Sequence, residues 1–250
     1  AAEGCDFGGV DLTVGMLTRC KLDRAVFARA NLDRTVFFES TLGETDFRSA
    51  SMPGVSMYKA DLSTAKLAGA TLQRVVLVEA NLAGQDLSGM TLVECAFMES
   101  DLTGAKLVGA NVTKGGFRRA KLAGADLTDA IVPNAVFVEA DLTRAKLRGA
   151  NAKQSLFVGA KLEHADLGGA NLYQAIFHDA IANEARFALA DLTYADFSRA
   201  NIERSDFTGA KIFRARLHRV SDEGAIFTGR SIALGDDEAQ KKAEEWVPRD

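Results

Sequence analysis

The sequence predicts an all-β solenoid, a quadrilateral parallel β-helix of about 11.5 coils with a short C-terminal capping helix, on three observations. A Leu, Phe or other large apolar residue recurs at every fifth position from Phe7 to Ile232, without insertion or deletion. Only Ala152, Ala182 and Asp222 break that rule among these centres. The residue two places before each centre is small, Ala in 28 of 46 units, with Gln85, Met90 and Arg230 the exceptions. Finally, 13 of the 15 Phe are centres, and all of them fall in two of the four columns that a 20-residue coil creates.

A period of five matches neither the 3.6 of a helix nor the 2 of a strand. Large apolar residues at that spacing share one interior only if the chain turns a corner once per unit. Four corners close a square coil, so residue n sits over residue n−20 and successive coils pair as parallel strands ~4.8 Å apart. The centres and the small residues two places before them fill the interior. Close packing keeps both strict, since an extra methylene inside such a core costs ~1–3 kcal/mol. Pro53 and Pro133 follow centres on the same side and are expected at equivalent corners. Gly69, Gly89, Gly109, Gly149, Gly169 and Gly209 end their units, where a corner is expected to need glycine.

The units Ala30-Asn31-Leu32-Asp33-Arg34, Ala60-Asp61-Leu62-Ser63-Thr64, Ala125-Asp126-Leu127-Thr128-Asp129 and Ala170-Asn171-Leu172-Tyr173-Gln174 resemble the A(D/N)LXX motif of pentapeptide-repeat proteins. The resemblance covers about nine-tenths of the chain. It implies that the coil is right-handed and the source bacterial. Several members of that family are similar in size and charge to duplex DNA and bind DNA gyrase, some conferring fluoroquinolone resistance. Others form domains of secretion-system adaptors or effectors.

Composition narrows the function classes. Charged residues make up 26% and apolar runs are short, so no membrane span is expected. The net charge is −4, but the tail after Ala233 carries −3 of it, leaving the body at about −1. Direct nucleic-acid binding is therefore not expected. That balance, with no protruding loops and a small tail face, differs from the DNA-mimicking members. Cys5, Cys20 and Cys95 all occupy the small inward position and are expected as buried thiols. Reduced thiols suit a cytoplasmic setting, a secreted effector being the alternative. The chain enters its repeat without a polar cap, so an N-terminal neighbour is expected over that end.

The residues flanking each centre point outward, and stacking aligns those 20 apart. One side reads Asp46, Lys66, Asp86, Lys106, Asp126, Lys146, Asp166, Arg186, Asp206, an alternation that predicts an axial ladder of ion pairs. A shorter version reads Asp101, Lys121, Asp141, Lys161. Asn111, Asn151 and Asn171 on another side predict amide ladders. The remaining side differs. Before its centres stand Val36, Ser56, Val76, Ala96, Gly116, Val136, Leu156 and Ile176. After them stand Phe38, Tyr58, Val78, Met98, Arg118, Val138, Val158 and His178. This apolar strip, rimmed by Glu39, Lys59, Glu79, Glu99, Arg119 and Glu139, is the candidate protein interface, for self-association as a dimer or for another partner.

The pattern changes after Leu234-Gly235, which divides the chain into a solenoid, residues 1–235, and a tail, residues 236–250. Asp237 with Gln240 reads as a capping box, and Ala239, Ala243 and Trp246 share one helical face, Trp246 anchoring it over the open coil. The three histidines, His164, His178 and His218, form no nucleophile, carboxylate-pair or metal spacing. No catalytic, cofactor or metal site is predicted. The expected function is a non-enzymatic scaffold for protein interaction, with gyrase binding by DNA mimicry or a secretion-system domain as alternatives.

Overall fold

The structure, a computed structural model, describes residues 2–245. Its backbone is a stack of coils in parallel pairing at a constant offset of 20, running from Asp6↔Val26 to Asn201↔Ser221 and ending in the short strands Asp206–Phe207 and Ile226–Phe227. Centres and small inward residues form one continuous buried core from Leu22 to Leu217. The two phenylalanine columns are real. Phe97, Phe117, Phe137, Phe157, Phe177 and Phe197 stack face to face at 4.5–5.0 Å. Where the opposite column also carries Phe, rings meet edge to face, as Phe177–Phe187 do at 5.9 Å.

One unit shows how the backbone closes. Leu122 N–H donates to Asp141 O in the next coil, Gly124 N–H to Thr143 O, Ala125 N–H back to Leu122 O, and Asp126 N–H to Ala105 O in the previous coil. The N–H directly after the centre, here that of Ala123, has no backbone partner. This explains the D/N of the motif. The side-chain oxygen before the centre accepts that orphaned N–H, as Asp126 does from Thr128 at 3.1 Å and Asn111 from Thr113 at 3.1 Å. It also explains Pro53 and Pro133, which occupy the one position whose N–H the ladder does not use.

Several sequence expectations need correction. The Asn side chains form no amide ladder among the described residues; Asn111, Asn151 and Asn171 each turn back on their own unit. The aspartates of the alternating column do the same, so few reach the lysine one coil away. Lys146–Asp126 closes to 3.6 Å, and Lys121–Asp101 in the shorter column to 3.8 Å, whereas Asp46 pairs with Arg48 and Asp166 with Arg148. Corners do not require glycine either. Non-glycine residues from Val14 to Arg219 take φ of 50–63° there, a strain of about 1 kcal/mol each that the N–H bond to the next coil offsets. Of the cysteines only Cys95 is buried; Cys5 is exposed and Cys20 half-buried, both in the first coil of the described stack.

Polar residues at the small inward position follow a rule of their own. Thr35, Ser40, Cys95, Ser155 and Ser205 each donate to the centre carbonyl 23 residues earlier, and Gln85 donates to both Leu62 O and Ala65 O. Burial pushes the Cys95 thiol up to about 11, which makes it inert.

Asp126 provides a test of the turn. Burial alone would raise its carboxyl, but hydrogen bonds from the Thr128 hydroxyl and N–H and the charge of Lys146 hold it below the usual range. A depressed folded pKa contributes stability that is present above the unfolded value of about 3.9 and lost as pH falls through the folded one. Asp126→Asn keeps the turn oxygen. It should melt slightly below wild type at neutral pH, and the two melting curves should converge in acid, once the folded-state carboxyl is protonated. Parallel curves at every pH would show that the charge contributes nothing.

The last coil departs from the frame. Arg216 pairs with Leu234, an offset of 18, and residues Arg230–Ile232 form a 3-10 turn. Ile232, expected as a centre, is 49% exposed because the chain has slipped by two residues. The two residues that broke the sequence rules, Asp222 and Arg230, pair with each other at 2.6 Å. Helix α1, Glu238–Glu244, follows with Asp237 as its N-cap, accepting from the N–H groups of Ala239 and Gln240. Ala239 and Ala243, expected on its covered side, are exposed, and the half-buried positions are Gln240 and Lys241. Trp246 lies outside the described residues.

Candidate functional site

The coil geometry assembles the predicted strip without a break. Backbone pairing runs Met16↔Val36↔Ser56↔Val76↔Ala96↔Gly116↔Val136↔Leu156↔Ile176↔Asp196, so each outward side chain lies one strand spacing from the next. β-Branched residues suit this position because the pleated surface accepts them. Val76 and Met98 are exposed, at 38% and 39%. Val36, Phe38, Tyr58, Val78, Val136, Val138, Leu156, Val158 and Ile176 are half-buried, each shielded by its neighbours above and below. Phe38 and Tyr58 stack with ring centroids 5.5 Å apart, and the Tyr58 hydroxyl donates to Glu79 at 2.8 Å.

The rim is ordered by ion pairs between successive coils: Arg19–Glu39 at 2.8 Å, Lys59–Glu79 at 3.4 Å, Arg119–Glu139 at 2.5 Å and Arg199–Asp179 at 2.8 Å. Exposed pairs of this kind are screened by water and contribute little, so they shape the border more than they stabilise the rod. At its C-terminal end the strip becomes polar. His178 Nε2 lies 2.9 Å from Asp196 Oδ2, off the line an aligned hydrogen bond needs, and Arg216 approaches the same oxygen at 3.8 Å. Burial would raise the Asp196 carboxyl, yet His178 and Ser198 outweigh it and hold the group below the usual range. The tail is tied to this end. Asp237 N–H donates to His218 Nδ1 at 3.1 Å, Arg219 N–H to Asp236 at 2.8 Å, and the Arg219 guanidinium pairs with Glu245 at 3.1 Å.

Sequence reasoning missed two surface features. Met16, 77% exposed, extends the strip by one coil and stands in the same column as Val36. A second aromatic group, Tyr173, Tyr194 and Phe213, lies on a neighbouring side with rings edge to face at 5.8–5.9 Å, and Lys153 and Arg214 sit over its outer rings. The signal was Phe213, one of only two phenylalanines that are not centres. No group of three or more His, Cys, Asp or Glu among the described residues could hold a metal ion. No helix among them is long and apolar enough to cross a membrane.

The pentapeptide repeat model matches eight times, over residues 17–54, 30–69, 40–77, 76–113, 120–157, 155–193, 177–209 and 190–229. The chain belongs to the pentapeptide-repeat family. Among solved structures it is similar to HetL, a pentapeptide repeat protein involved in heterocyst differentiation regulation in the cyanobacterium Nostoc sp. strain PCC 7120. Identity is 26%, over 92% of this chain and 87% of that one, with a TM-score of 0.33. It is also similar to QnrB1, a plasmid-mediated fluoroquinolone resistance protein, at 15% identity over 80% of this chain and 98% of that one, TM-score 0.42. A third is Rfr23 from the cyanobacterium Cyanothece 51142, at 20% identity over 61% and 87%, TM-score 0.17. Likenesses with TM-scores this low carry no functional argument. No curated protein matches the sequence.

Proposed function

We propose that this pentapeptide-repeat protein is a non-enzymatic rigid scaffold that binds protein along its apolar side. One observation carries the reading: an outward column of mostly apolar residues, unbroken over consecutive paired coils from Met16 to Ile176 and bordered by ion pairs. A contiguous strip of that length exceeds the scattered apolar residues of an ordinary soluble surface. In the same reading the solenoid, residues 1–235, is a right-handed coil of about 11.5 turns, and the tail, residues 236–250, covers its C-terminal end. The body charge of about −1 gives a DNA-mimic reading no support, so adding the protein to a gyrase supercoiling assay should leave the rate unchanged.

The test is Val78→Asp combined with Val138→Asp, two outward substitutions that leave the core intact. Cross-linking and pull-down should lose the complexes formed by the wild type, while the melting temperature stays within a few degrees. Unchanged capture would sink the interface.

A further inference from the structure

We infer that the apolar side binds a second copy of this chain in an antiparallel arrangement, with the two-fold axis crossing the strip between the coils of Phe97 and Phe117. The inference rests on the apolar side being an interface at all. It starts from an asymmetry at the middle of the strip. The coil centred on Phe97 carries Glu94 and Glu99 at its two corners, and the next coil carries Lys114, Arg118 and Arg119. An acidic band therefore lies directly beside a basic one, and at one corner the two already meet, Lys114 with Glu94 at 3.2 Å. A two-fold axis parallel to the strands, passing between them, sets each acidic band on the basic band of the other copy. Such a surface is complementary to itself, as an isologous interface must be.

Two charges at this centre lie near opposite charges of their own chain, Glu99 near Arg119 and Arg118 near Glu139, without closing on them. Among the described residues Glu99 and Arg118 form no ion pair within 4.0 Å, although both are exposed. Arg118 is also the one Arg or Lys that interrupts the apolar column after the centres. In the antiparallel register Arg118 lies opposite Met98 of the second copy, so its guanidinium reaches the adjacent Glu99 there, which itself lies opposite Arg119. The like charges that this register brings together are already satisfied. Glu79 faces Glu139 of the second copy, but Lys59 and the Tyr58 hydroxyl hold the first and Arg119 the second. Glu39 faces Asp179, with Arg19 and Arg199 on them.

Shape agrees with charge. Ala96 and Gly116 give the centre the smallest side chains of the column, so the two backbones approach closely there. Val76 falls opposite Val136, and Val78 opposite Val138, on either side of the axis. Seven strand spacings by one side of a coil give a flat patch of ~34 Å by ~16 Å, roughly 550 Å² per copy. That is the low end of specific interfaces and points to a reversible dimer.

The experiment is sedimentation velocity on the full chain from ~1 to ~200 µM, with circular dichroism melts as the folding control. The wild type should pass from monomer to dimer across that range. Glu99→Arg and Arg118→Glu should each weaken the dimer about tenfold or more, by setting like charges together at the centre. The double variant E99R/R118E should recover to within about threefold of wild type, because the pair is restored with its signs exchanged. A double variant no better than the worse single variant would overturn the antiparallel register. A wild type monomeric throughout would overturn the dimer. The apolar-side reading would then stand or fall separately, on whether V78D/V138D still captures another protein.

Discussion

Phe137→Ala should destabilise the protein by about 3–5 kcal/mol, the upper range for a buried aromatic truncation. Phe137 is fully buried, with Phe117 4.8 Å below it and Phe157 4.9 Å above. The surrounding backbone is fixed by coil-to-coil hydrogen bonds and cannot close over the void, so both the transfer and the cavity costs are incurred. Each coil contacts only its neighbours, so the damage should be local in space but decisive for cooperativity. Urea unfolding followed by far-UV circular dichroism should show a lower midpoint. The single transition should broaden or split as the two halves lose their coupling. Phe137→Leu, which restores the residue type of the other columns, should recover most of the loss. A cost below about 1 kcal/mol for the Ala variant would mean that the ring stack is decoration on a core held by its backbone.

The second large effect contrasts two prolines two residues apart. Lys121 N–H donates to Ser100 O, the carbonyl of a fully buried residue, at 2.9 Å. Lys121→Pro should orphan that carbonyl, which alone costs ~1–3 kcal/mol, and should drive a ring into the ladder. Ala123→Pro falls on the position whose N–H is unused and where Pro53 and Pro133 already stand. It should be neutral or stabilise by about 0.4–1 kcal/mol through the unfolded chain. The melting temperature should fall for Lys121→Pro and hold or rise for Ala123→Pro. Equal destabilisation would refute the assignment of the spare N–H.

The coil, its 20-residue register and the phenylalanine columns were legible because a period of five leaves the interior no alternative. The strip was legible for the same reason: once the register is known, Val36, Val76 and Val136 must align. Turn chemistry was not. Asp126 and Asn111 read as members of axial columns because their spacing is regular, whereas their nearest unsatisfied donor lies two residues ahead in the same unit. Periodicity reports which side a residue faces; it is blind to which local N–H lacks a partner. The end of the rod was half legible. Asp222 and Arg230 were visible as exceptions, but that they answer one another across eight residues depends on a slip no repeat count contains.

That slip bears on how the rod avoids growing. Every coil is a template for the next, since its free N–H and C=O groups repeat along the axis, and such stacks are the geometry of fibres. The offset of 18 at Arg216 and Leu234 leaves the final turn out of phase with any incoming coil. The Asp222–Arg230 charge pair at that end would also have to be desolvated under the newcomer. A polymer needs a matching seed at each step, and this terminus presents a mismatched one.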